Sequence, residues 1–175
     1  MKIQFNDPAT DFSNGLFIIK ACHEDFLKRG EALLQLVDKI GRQGIDEDLA
    51  YQCMSAYWHY NIANHLHHRD EEEGVFPMML GQSALVDGMI ERLLLDHEEI
   101  EKSWASLAKC LSQPDKIENT DYLRHLAEEF ERLQRAHINR EDEDFAPRVK
   151  AQLTASQLQQ LGDKLYQLRH KKSPA

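Results

Sequence analysis

The sequence predicts an all-α protein, an antiparallel up-down four-helix bundle with an additional short C-terminal helix. Three observations carry this. Apolar residues recur in alternating steps of four and three along four stretches of about 25 residues, the spacing that gives a helix one packing seam. Short segments punctuated by Gly, Pro and Ser join the stretches, so consecutive helices turn back on one another. The sequence also carries no β-hairpin signal, no glycine-rich phosphate loop and no low-complexity tract.

Residues 1–14 are turn-rich (Asn6-Asp7-Pro8, then Asp11, Ser13 and Asn14) and read as a leader lying over the domain. The first helix, from about residue 15 to 40, has Ile19, His23, Phe26, Gly30, Leu33, Val37 and Ile40 on its seam, and Gly41 and Gly44 break it. Asp46 caps the second, whose seam is Leu49, Cys53, Ala56, Tyr60, Ala63, His67 and Glu71; it runs to about residue 73, before Gly74 and Pro77. Ser83 caps the third, about 84–111, with Val86, Ile90, Leu93, His97, Ile100, Trp104, Leu107 and Leu111. After a polar loop reaching Thr120, the fourth runs to about residue 146 with Leu123, Leu126, Phe130, Leu133, His137 and Glu141. Thr154-Ala155-Ser156-Gln157 is a capping box that opens the short fifth helix, carrying Leu158, Leu161, Leu165 and Leu168.

The 175 residues fit one domain, 1–175, with the bundle over about 15–150 and the last helix over about 154–170. A net charge of −9 argues against nucleic acid or an anionic membrane as partner. The N-terminus lacks the apolar core of a signal peptide, and no apolar run reaches the roughly 20 residues of a membrane span. Cys22, Cys53 and Cys110 are scattered and odd in number, which fits free thiols and a cytoplasmic location.

One stretch is written twice. His67-His68-Arg69-Asp70-Glu71-Glu72-Glu73-Gly74-Val75-Phe76-Pro77 returns 70 residues later as His137-Ile138-Asn139-Arg140-Glu141-Asp142-Glu143-Asp144-Phe145-Ala146-Pro147. Each copy reads His-x-x-x-Glu, a second acid, two apolar residues and a proline at one offset. Residues four apart share a helix face, so each copy aims an imidazole and a carboxylate at a common point. His23 and His97 add one seam histidine on each remaining long helix. Burying two carboxylates among four imidazoles makes sense around a cation. Four histidines and two carboxylates suggest two metals, each with two nitrogens and a share of both carboxylates, a donor set for iron, then manganese or zinc. No histidine has a glutamate three residues before it, and Leu27 and Glu101 stand where a zinc-protease motif needs its second histidine.

The remaining histidines, His59, His65, His68 and His125, fall off the seams and read as surface residues, and Tyr60 and Trp104 read as core. Within Asp70–Glu73 only Glu71 is expected to face inward. Glu72 and Asp142, one residue around the helix from the seam, are expected to matter little to a metal.

The order of these motifs, with the Cys22-His23 and Asp96-His97-Glu98 contexts, resembles the hemerythrin-like, HHE cation-binding family over about residues 15–170. The resemblance implies a four-helix bundle holding a non-haem di-iron centre. It implies His23, His67, His97 and His137 as terminal ligands, with Glu71 and Glu141 as bridging carboxylates. The chain departs from the oxygen-carrying members at Glu101, where they have a further histidine, and at Glu141, beside the position (Asp142) of their aspartate. The pattern is closer to the four-histidine, two-glutamate members. The leading expectation is therefore a protein binding two iron ions and a diatomic ligand, oxygen or nitric oxide, in sensing or iron handling. A di-iron oxidase or peroxide-decomposing enzyme is a second expectation. A bundle with a structural metal and a protein-binding face is a third.

Overall fold

The computed structural model describes residues 4–170, and every regular element among them is helical. Four long helices, α1 (Gly15–Gln43), α2 (Glu47–Arg69), α4 (Ala84–Leu111) and α5 (Thr120–Arg140), are joined in chain order by short connections. Between α2 and α4 lies one further turn, α3 (Phe76–Met79); α5 is followed by α6 (Ala146–Gln152) and by α7 (Ala155–His170). Helix α1 packs on α2 and α5, and α4 packs on the same two, which closes a four-membered ring. The bundle is the one that the periodicity predicts. Among the described residues no helix is long and apolar enough to cross a membrane.

The helix starts are set by side-chain caps. Asn14, Asp46, Ser83 and Asn119 each accept a backbone N–H of the first turn, satisfying a donor that the helix itself leaves unpaired. Thr154 and Gln157 form the expected reciprocal box before α7. One boundary differs: α1 continues through Gly41 and stops only at Gly44, whose φ of 77° a side chain would resist.

The largest correction is at the ends of α2 and α5, where the helix widens rather than stops. Asp70–Val75 and Glu141–Phe145 are π-helical turns. Both repeats supply the same cause. Pro77 and Pro147 have no N–H to give the carbonyl four residues back, and the chain moves to longer bonds just before them. Phe76 then bonds the carbonyl of Glu71, and Ala146 that of Glu141, each five residues back.

The apolar core has two parts, one towards each end of the bundle, and both are lined by the predicted seams. Tyr60 and Trp104 lie in the first as core residues. Helix α7 covers α1 and the first π-turn, so tightly that a Cβ on Gly15 would stand 2.2 Å from Cγ of Leu161 and one on Gly74 2.6 Å from Cδ2 of Leu165. The leader does lie over the domain: Phe5 packs on His59, and Asp7 pairs with Arg169.

Candidate metal centre

Each long helix brings one seam histidine to the same level: His23 from α1, His67 from α2, His97 from α4 and His137 from α5. Each π-turn brings one glutamate, Glu71 or Glu141. All six are buried, at 4% exposure or less. Their coordinating atoms fall into two groups, His23–His67–Glu71–Glu141 and Glu71–His97–His137, with Glu71 common to both.

Glu71 spans the groups. Its Oε1 lies 2.9 Å from Nε2 of His67 and 3.8 Å from that of His23. Its Oε2 lies 2.8 Å from Nε2 of His97 and 3.7 Å from that of His137. Glu141 closes the other side, with Oε2 3.1 Å from His23 Nε2 and 3.6 Å from His137 Nε2. These donors fit a cation. Among the described residues Nε2 of His23, His67 and His137, Oε1 of Glu71 and Oε2 of Glu141 are buried without a hydrogen-bond partner. Orphaned polar atoms of that kind are costly unless something else meets them.

The outer ring nitrogens are held by a second set of acids. Nδ1 of His97 lies 2.7 Å from Glu72, and Nδ1 of His23 lies 2.8 Å from Asp142. Asp96 sits 3.5 Å from Nδ1 of His137 and is itself clamped by Arg140 through two hydrogen bonds. A carboxylate behind a histidine fixes which nitrogen carries the proton and turns the other towards a metal.

Protonation follows from these neighbours. Burial lowers the pKa of His23, but the neighbouring carboxylates of Asp142, Glu141 and Glu71 outweigh it and hold it well above the ordinary value. His137 behaves alike, its burial outweighed by Asp96 and Glu71, and rises to about 9. His97 is raised against its burial by Glu71 and Glu72. His67 has no acid on its outer nitrogen, and burial takes it down to about 3. Burial and the charge of Glu71 push Glu141 up to about 7, whereas Glu71, despite its burial, is held well below its usual range by His67 and its neighbours. Without a cation, then, protons on the imidazoles offset the negative charge of Glu71.

The hemerythrin HHE cation binding domain matches residues 14–149. The chain belongs to that family. An uncharacterized protein of Haemophilus influenzae is 26% identical over 128 residues, covering 73% of this chain and 74% of the relative. No solved structure matches.

Several residues of this hemerythrin-like site stand elsewhere than expected. Glu72 and Asp142, set aside by helical spacing, touch the histidines because a π-turn advances less per residue and brings two successive acids to one side. Their recurrence at one offset in both repeats was the available signal. His59 and His68 are buried, not surface residues; His65 and His125 are exposed. His59 lies 2.9 Å from Asp25 under Phe5 of the leader, a face that seam counting ignores. His68 stacks on His97 at 3.9 Å, and Nδ1 of His68 lies 3.0 Å from Glu101. Asp70 is also buried, bonded by Arg169 of α7. Glu101 turns to His68 and belongs to neither group of coordinating atoms.

Proposed function

We propose that this hemerythrin-like protein holds a non-haem di-iron centre on His23, His67, Glu71, His97, His137 and Glu141, and binds a small diatomic ligand there, oxygen or nitric oxide, in sensing or iron handling. The observation that carries the reading is Glu71, whose two oxygens face separate pairs of imidazoles. A carboxylate so placed serves two ions at once. Mixed imidazole and carboxylate donors favour iron, with manganese or zinc as lesser occupants. Two iron ions would supply one-electron chemistry and an open position for an exogenous ligand. The chain's own part is to keep three of the four imidazoles, His97, His23 and His137, oriented through Glu72, Asp142 and Asp96, and to wall the site off in the bundle core. A cytoplasmic location goes with this reading, since all three cysteines are free thiols.

Metal analysis of anaerobically purified protein tests it, followed by spectra on adding oxygen, nitric oxide and peroxide. Two iron atoms per chain and a spectrum altered by nitric oxide are expected. One tightly bound zinc per chain would overturn the dinuclear iron centre. Turnover of peroxide would favour an enzyme instead.

A further inference from the structure

We propose that His68, held by Glu101, is the group that recognises a protic ligand at the metal centre, accepting its hydrogen bond through Nε2. The proposal rests on the small-ligand reading above. His68 is 6% exposed although it lies next to His67 and off the bundle seam. Its ring lies flat on His97, centroids 3.9 Å apart at 14°, and within 6.3 Å of His137 and 6.0 Å of His67. Three of the four seam histidines therefore surround it.

The two ring nitrogens differ. Nδ1 lies 3.0 Å from Oε1 of Glu101, whose side chain is 48% exposed. A carboxylate at that distance places the ring proton on Nδ1 and leaves a lone pair on Nε2. Nε2 is buried and has no partner among the described residues. His68 belongs to neither group of donor atoms that could hold an ion, so it does not act as a further ligand. It can, however, take a hydrogen from something bound beside that ion.

The side is also the right one. His68 stands on the side of the cluster formed by His97 and His137. A surface depression of about 890 Å³, lined by His68, His97, Glu72 and Glu101 among others, opens there. His97, one of the six central residues, lines it beside His68.

The test compares hydrogen peroxide, which carries protons, with azide, which carries none, on the iron-loaded, oxidised full chain. His68→Leu is expected to bind peroxide about tenfold more weakly, the loss of one hydrogen bond, while azide affinity and iron content stay as in the parent. Glu101→Ala, a change at a half-exposed position, is expected to weaken peroxide in the same direction, which keeps the test open should His68→Leu fail to fold. Nitrogen-15 spectra of the zinc-loaded parent are expected to show the His68 proton on Nδ1. Equal loss of both ligands, loss of iron in His68→Leu, or a proton on Nε2 would each overturn the proposal. A parent that binds neither ligand would overturn the proposal, and one whose spectrum nitric oxide also leaves unchanged would overturn the small-ligand reading with it.

Discussion

Oδ1 of Asp142 lies 2.8 Å from Nδ1 of His23, across the bundle from the π-turn after α5 to α1. Glu72 repeats the relationship with His97 at 2.7 Å, so each motif supplies the brace for a histidine on another helix. Both carboxylates are about half exposed, yet the rings they hold are buried. Asp142→Ala and Glu72→Ala are expected to leave the fold intact and to weaken metal binding about 10–100-fold, as loss of such a brace typically does. Competition against a chelator of known affinity measures this. Unchanged affinity in both variants would return Asp142 and Glu72 to the solvated face.

Glu71 and Glu141 should behave differently in kind. Each faces imidazoles of both halves, so Glu71→Ala or Glu141→Ala is expected to abolish stoichiometric binding of two ions, not merely to weaken it. Metal content after desalting distinguishes the cases. One ion retained at full affinity in Glu71→Ala would show that this carboxylate does not bridge.

Removing the metal should leave a protein that loses stability as pH rises from about 6.5 to about 9. In the folded, metal-free chain His137 is raised to about 9, so its stabilising charge is fully present below about pH 6.5 and is lost as pH climbs through about 9. His67 is lowered to about 3; its neutral form stabilises above about pH 6.5, and that contribution fades as pH falls towards 3. Metal reverses the upper limb, because imidazoles bind only when deprotonated, and the loaded protein should gain stability from about pH 6 to about pH 8. Melting temperatures of chelated and loaded protein across this range check both limbs. A chelated protein that grows steadily more stable from about pH 6.5 to about pH 9 would contradict the assignment of His137.

Most of the bundle and the six central residues could be read from spacing, because a helix that buries one face writes that face into its sequence every three or four residues. His23, His67, His97 and His137 stand on those faces, and so they were legible. What escaped reading depends on departures from the regular helix or on contacts distant in sequence. The π-turns shift Glu72 and Asp142 off the 100° rotation that had set them aside. Asp70 is buried by a partner 99 residues away, and His59 by a leader segment with no periodicity at all.

That distant partner sets the last prediction. Arg169 of α7 bonds Asp70 at 2.6 Å and Asp7 of the leader at 2.7 Å, and its side chain is only 4% exposed. Asp70 is fully buried and opens the π-turn that carries Glu71. Arg169 thus ties the C-terminal helix, the leader and the π-turn of Glu71 together. Arg169→Met would leave the Asp70 carboxylate buried without its counter-charge, which costs about 3–5 kcal/mol and lowers the melting point by roughly 10 °C. Asp70→Asn in the same chain removes the stranded charge and should restore at least about half of that loss, because the penalty comes from the unpaired ion more than from the missing bond. Calorimetry of the two single variants and the double variant gives the coupling. Additive losses in the double variant would mean that Arg169 stabilises the protein through Asp7 and its packing against Phe12, and that the π-turn of Glu71 does not depend on α7.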